Sequence, residues 1–511
     1  MTFKRGLVVG LTATMAAPLA LAGPSFDFTP NTTPDDGDIA IYVGVDQALS
    51  DIGTKIDRSV DGRLSAALQG YNFDGAFGSV LTLRAMAPYQ TITVIGTGDE
   101  ALTARHLADL GGYAATTNDG DAISLVADGL STDVDGAGAY LAKGYALGGY
   151  HFLKYKMFDA DNPAPEPHTV TVAGTERASK NMFERDLGHL VDGVTFARDL
   201  GTEPGNTLWP QDFVERVQTA FEGTRNTTIT VLDADAIRAN GMGALMGVGQ
   251  GSIHDPRLLV VEYRGGETGD APIALVGKGI TFDTGGISIK PNNGMWLMKS
   301  DLSGAAAVAG TVLAAAKRGE NVNVVGVMPL AENMPSQDAI RPGDVLTSMS
   351  GKTIEIMSTD AEGRLLLADA VYYAQQEYEL RLLVNIATLT GSAARAMGDD
   401  YAAIITRELP LSLEMMEVGK RAGEDVWPLP LHPSHFVQIE SLIADIKNTG
   451  GHPGASIGAA VVGTFVAEDL PWVHLDIAGV DWRDEPTATV PVGHGGWGVR
   501  FMDELLRSES D

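Results

Sequence analysis

Ile273-Ala-Leu-Val-Gly-Lys-Gly-Ile-Thr-Phe-Asp283-Thr-Gly-Gly-Ile-Ser-Ile-Lys290 opens on four apolar residues and then turns polar and glycine-rich. An unbroken apolar run of this length suits a strand buried on both faces, as in a parallel sheet. Loops that follow the carboxyl ends of such strands are the usual address of functional residues in open α/β sheets. Asp283 sits in that loop, and the glycines on either side of it allow a sharply bent backbone. Further strands are predicted at Val322 to Val327, Leu382 to Ile386 and Trp472 to Ile477, with helices between them. The expected fold class is therefore α/β, the larger domain carrying a mixed, largely parallel sheet covered by helices.

The chain has 511 residues, too long for one ordinary domain. Short β-branched runs at Ile39 to Val43 and Thr91 to Ile95 alternate with helical stretches at Ala101 to Leu110 and Ala137 to Leu147. They predict a smaller N-terminal α/β domain over 38–156. Residues 157–205 read as a linker and a connecting helix, Asn181 to Leu200, stopped by Gly201-Thr-Glu-Pro-Gly-Asn206. The larger domain then spans 206–511. Residues 23–37, rich in Pro, Asp and Thr, read as an exposed lead-in. Before them, Lys4 and Arg5 precede an uncharged run ending in Ala20-Leu-Ala22. That pattern predicts a cleavable signal peptide over 1–22, hence an exported, periplasmic or secreted protein. The alternative is a cytoplasmic protein with an N-terminal extension. No later stretch is long and apolar enough to span a bilayer.

The formal net charge is -30, which disfavours nucleic acid as a partner because phosphate binding needs a basic stripe. There are no cysteines, so disulfides, thiolate metal sites and a cysteine nucleophile are excluded. Any metal must be held by oxygen and nitrogen donors.

Carboxylates gather in the second half. Asp301 lies in Met298-Lys-Ser-Asp-Leu-Ser-Gly-Ala-Ala-Ala307, just ahead of an alanine-rich helix, where an N-cap role is also open. Ser358-Thr-Asp-Ala-Glu-Gly-Arg-Leu365 places Asp360 and Glu362 two apart. Extended backbone would turn both to one side, ahead of a buried helix through Leu366 to Ala374. Taken alone this octapeptide also reads as a solvated turn with a surface ion pair. Together, Asp283, Asp301, Asp360 and Glu362 could meet at one sheet edge. Four unneutralised acids would repel one another, and two divalent cations would resolve that. Lys278 or Lys290 could serve as a nitrogen ligand or an electrophile, or be a plain surface charge.

These motifs resemble those of the leucyl aminopeptidase (cytosol aminopeptidase) family of dimetal exopeptidases. The octapeptide matches that family's signature except at its first position, where Ser358 replaces the usual Asn. Val276 to Asp283, Gly285 to Pro291, Met298 to Asp301, Leu330-Ala-Glu-Asn-Met334, Ala387-Thr-Leu-Thr-Gly391 and His474-Leu-Asp-Ile-Ala-Gly479 also match. The resemblance implies one metal on Lys278, Asp283, Asp301 and Glu362 and a second on Asp283, Asp360 and Glu362. It implies Zn or Mn, with Mg or Co as alternatives. Lys290 and Arg364 would be the catalytic side chains, Lys290 polarising the scissile carbonyl and Arg364 holding a bicarbonate proton carrier. The implied partners are peptides with a free N-terminus, and the implied assembly is a homohexamer. Lys290, Met298, Asp301, Thr388, Gly391 and Ala478 would bind substrate, in an apolar pocket favouring Leu-like residues. Departures from the family are Ser358, Asp481 beside that pocket, and His494 and Trp497 where smaller residues are usual. An inward Asp481 could admit a basic N-terminal residue; solvent exposure is the other reading. A catalytically idle binding protein and a dimetal phosphoesterase are the competing functions.

Overall fold

A computed structural model of the chain describes residues 23–510, apart from 31, 119–121, 160–163 and 176. The expected signal peptide, 1–22, lies outside the described residues. The first sheet has strands β1 (Ser25–Thr29), β2 (Gly37–Val43), β3 (Val80–Met86), β4 (Tyr89–Gly96), β5 (Ile123–Val126) and β6 (Thr169–Ala173), in the order β1-β6-β5-β2-β4-β3. All neighbours are parallel except β3 and β4. Two expectations are corrected here. Ser25–Thr29 is not a free lead-in, and Thr169–Ala173 is not linker. The two pair with each other at the sheet edge, because Thr169-Val-Thr-Val alternates at the strand period and buries Val170 and Val172.

The second sheet is built from β7 (Thr227–Leu232), β8 (Arg257–Arg264), β9 (Ile273–Gly277), β10 (Gly279–Asp283) and β11 (Asn323–Asn333). After the short β12 (Val345–Thr347) and β13 (Thr353–Glu355) come β14 (Leu382–Ala387), β15 (Ala402–Thr406) and β16 (Val426–Pro428). The two-residue β17 (Ile446–Lys447) precedes β18 (Trp472–Asp476). The sheet order is β16-β15-β18-β14-β9-β11-β8-β7, with β10 against β11. Its centre, β18-β14-β9-β11, is parallel, and β8 and β15 run antiparallel to their inner neighbours. The Ile273 run is thus a central strand, as its lack of alternation predicts.

Helices cover both faces. Leu259, Val261 and Leu275 face a core shared with the helices Gly188–Thr202, Ser303–Arg318 and Val499–Ser508. Leu258, Val260, Ala274 and Val276 face a second core, with the helices Gly363–Glu377 and Gly454–Gly463. Each buried Val, Leu or Ile contributes about 1.5–3 kcal/mol, so alternate residues of one strand anchor opposite layers.

Arg198, fully buried in the connecting helix, joins the domains. It donates to the carbonyls of Leu147 (2.7 Å), Thr489 (2.9 Å) and Gly495 (3.0 Å). Burial pushes its guanidinium down to about 9. A two-stranded hairpin, β19 (Trp482–Arg483) with β20 (Gly493–His494), closes the chain's last loop. Among the described residues no helix is long and apolar enough to cross a membrane.

Candidate metal centre

The acidic residues converge at the carboxyl ends of the central strands. Asp283 ends β10, and Lys278 is the single residue between β9 and β10. Asp301 sits between the 3-10 turn Met295–Ser300 and the helix Ser303–Arg318. Asp360 lies in a turn and Glu362 directly before the helix Gly363–Glu377. The expected extended segment is therefore a turn, closed by the Ala361 N–H donating to Ser358 O at 3.3 Å. The two acids meet the others through the start of the helix, not through strand alternation.

Oxygens of Asp283, Asp301 and Glu362 all lie within 4.8 Å of one another, and the three residues are buried. Two ammonium groups lace the cluster together. Lys278 Nζ reaches Asp301 Oδ2 at 2.7 Å and Glu362 Oε1 at 2.9 Å. Lys290 Nζ reaches Asp283 Oδ2 at 2.7 Å and Asp360 Oδ1 at 2.6 Å. Four carboxylates against two ammoniums leave the site short of positive charge. Burial, aided by the Glu362 charge, pushes Asp283 up to about 6. Burial pushes Asp301 up to about 8. Burial opposes ionisation of Glu362 too, but the two lysines outweigh it and hold its carboxyl below the usual range. Burial also works against charge on Lys278 and Lys290, and the surrounding acids overcome it, so both stay protonated. Glu362 Oε2 is buried without a hydrogen-bond partner. Oxygen donors in excess of charge, one of them uncovered, suit hard or borderline divalent cations.

The surrounding residues fix these side chains. Asp283 Oδ1 accepts from Gly285 N (2.8 Å) and Asn333 Nδ2 (2.7 Å). Gly285 has φ +86°, and a Cβ there would lie 2.7 Å from Asp360 Oδ1, so only glycine admits this approach. Thr359 donates its hydroxyl to Gly285 O at 2.6 Å and accepts from Ser288 N at 2.8 Å, joining the two acidic loops. Asn448 grips the same turn and accepts from Arg364 Nη1 at 2.7 Å through its carbonyl. Arg364 is buried, which pushes its guanidinium down, and its Nε has no partner. Asn333 stands inside a motif already quoted; Asn448 has no sequence signal, since only tertiary contact brings it to the turn.

Of the other expected substrate residues, Thr388 and the Met298 carbonyl touch Asp301 or Lys278. Thr388 donates to Asp301 Oδ1 at 2.7 Å, and its carbonyl accepts from Lys278 Nζ at 3.0 Å. Met298 O accepts from Asp301 N at 3.4 Å. Gly391 begins the helix after β14, and Ala478 follows β18. Asp476, fully sequestered, shapes both loops by accepting from Leu389 N (3.1 Å), Thr390 Oγ1 (2.6 Å) and Ala478 N (3.4 Å). Asp481 is buried, with Oδ2 taken by the hydroxyls of Ser300 (3.1 Å) and Ser303 (3.2 Å), so neither the solvent-exposed reading nor a free pocket acid holds.

The profile of the cytosol aminopeptidase family's catalytic domain matches residues 195–502, and that of its N-terminal domain matches 40–157. The chain belongs to the cytosol aminopeptidase family. It is a leucyl aminopeptidase-type metallo-exopeptidase, a hydrolase. A probable cytosol aminopeptidase from Caulobacter vibrioides is 39% identical over 476 residues, 92% of this chain and 95% of that protein. One from Rhizobium etli is 41% identical over 429 residues, 83% of this chain and 86% of that protein. Among solved structures, a variant of tomato leucine aminopeptidase superposes with a TM-score of 0.84 at 28% identity, covering 96% of this chain and 97% of that one. The bottromycin maturation enzyme BotP in complex with Mn gives 0.81 at 29% identity, covering 93% and 100%.

Proposed function

We propose that this family member releases N-terminal residues, Leu-like ones preferred, from peptides, using two divalent cations. Lys278, as the neutral amine after binding releases its proton, would hold one with Asp283, Asp301 and Glu362, and Asp283, Asp360 and Glu362 would hold the other. Zn or Mn suits these donors, and Mg or Co is admissible. Bound there, such ions would acidify a water and polarise a carbonyl. The chain's own groups supply the rest. Lys290 Nζ, held between Asp283 and Asp360, would donate to a scissile carbonyl oxygen as charge develops on it. Arg364, tied on one side to Asn448 O and with Nε buried and unpaired, would hold a small anion such as bicarbonate as proton carrier. Met298, Thr388, Gly391 and Ala478 would receive the substrate's first side chain, and Asp481, held by Ser300 and Ser303, would not serve as a free acid for it. The assembly proposed is a homohexamer.

The observation that carries the reading is the buried convergence of Asp283, Asp301 and Glu362. Asp283→Ala and Glu362→Ala are each expected to abolish hydrolysis of a leucyl amide in the presence of Mn or Zn. Near-wild-type rates in either variant, or turnover of a phosphodiester in place of the amide, would refute it.

A further inference from the structure

Asp481 and His494, more than ten residues apart in sequence, meet at one hydroxyl. Ser303 Oγ lies 2.8 Å from His494 Nε2 and 3.2 Å from Asp481 Oδ2, and it also contacts Ser300 O. Ser300 Oγ, whose single proton is shared between Leu297 O at 2.8 Å and Asp481 Oδ2 at 3.1 Å, adds a second contact to Asp481. Proton bookkeeping orders the cluster. Gly496 N donates to His494 Nδ1 at 3.3 Å, so Nδ1 is the acceptor and Nε2 carries the hydrogen. His494 therefore donates to Ser303 Oγ, and the single Ser303 proton is left for Asp481 or for Ser300 O. Burial holds His494 neutral, pushing it down to about 3.

Asp301 lies between the two serines, and Met298 lies just before them. The same hairpin also grips this segment from outside. Trp482, next to Asp481, meets Trp296 edge-on with ring centroids 5.5 Å apart, and Lys299 Nζ sits 5.5 Å from the Trp482 ring. The grip is backed rigidly. A Cβ on Gly201 would lie 2.3 Å from the His494 ring, and Arg198 holds Gly495 O at 3.0 Å.

We infer that Asp481 and His494 are paired positioning residues, which fix the Ser300–Ser303 turn and thereby set the metal affinity of Asp301. This rests on the metal-centre reading above. Groups that orient metal ligands typically contribute a factor of about 10–100 in affinity. The test is calorimetric titration of Mn²⁺ alone into metal-stripped full-length protein, with thermal unfolding measured in parallel. D481A and H494A are expected to weaken Mn²⁺ binding about tenfold or more. D481N, which keeps an acceptor for the serine hydroxyls, should restore Kd to within about threefold of wild type. Because both side chains meet at Ser303, and Asp481 alone also reaches Ser300, the double variant should bind little more weakly than D481A. Lowered thermal stability with unchanged Mn²⁺ affinity in D481A and H494A would overturn the inference and leave the metal centre standing. If D481A does not fold, Ser303→Ala removes the shared hydroxyl, and an unchanged Kd there overturns it equally. Failure of the wild-type protein to bind Mn²⁺ would sink the metal-centre reading and this inference with it.

Discussion

Substitution of Asn448 by Ala is expected to cost both stability and turnover, in amounts the contacts set. The residue is fully buried. Its Oδ1 accepts from Met357 N at 2.8 Å and Ser358 N at 3.5 Å, and its Nδ2 donates to Ser358 O at 2.7 Å and Ala361 O at 3.3 Å. Two short bonds at about 1 kcal/mol each and two long ones at about half that give about 3 kcal/mol. The turn so released carries Asp360 and leads into Glu362 and Arg364. A displacement of about 1 Å at a reacting centre costs roughly 10²-fold in rate. Asn448→Ala should therefore lose about 3 kcal/mol in urea unfolding and roughly 10²-fold in kcat on a leucyl amide. Asn448→Asp should do no better, because its second oxygen would face the Ser358 and Ala361 carbonyls in place of an N–H donor. A variant that loses the stability but keeps kcat within about threefold would show that Thr359 and the lysines hold the turn without it.

Three further outcomes follow from other sites. Burial pushes the Asp369 carboxyl up to about 7, although it accepts from the N–H groups of Ala244, Leu245 and Met349. A folded value above the unfolded one means stability that is full below pH ~4 and lost as pH rises through about 7, in all about 4 kcal/mol. Asp369→Asn should flatten the stability profile across that window, and an unaltered slope would refute the assignment. The Ala488 carbonyl is seated where a Cβ on Gly112 would lie 2.0 Å from it, so Gly112→Ala should cost about 1–3 kcal/mol or more and loosen the domain contact, seen as earlier or two-step unfolding. Mass spectrometry of exported protein should find the chain starting at Gly23, and retention of Met1 would remove the case for export.

What the sequence makes legible follows from where the physics is local. Ile273–Val276 could be read as a buried central strand because an apolar run without alternation has few other fates. Asp283 and Asp301 could be placed because one follows a readable strand and the other precedes a readable helix. Asp360 and Glu362 were expected together for the wrong reason. Their approach to Asp283 and Asp301 comes from the helix start at Gly363 and from two lysines reaching across, and neither is a feature of the octapeptide. The edge strand at Thr169–Ala173 had its alternation in plain sight, but the Pro- and Asp-rich residues before it outweighed that signal. Asn448 carried no signal, because its role depends on a chain reversal that only the packed domain supplies. Asp481 and His494 make the same point from the other side. Read one at a time they are an odd acid and an oversized ring; their chemistry exists only as a pair, and the pairing is made by a serine beside Asp301 that no motif marks. Residues that depart from a family's pattern near its site are therefore best tested in combination, since the second departure can be what makes the first tolerable.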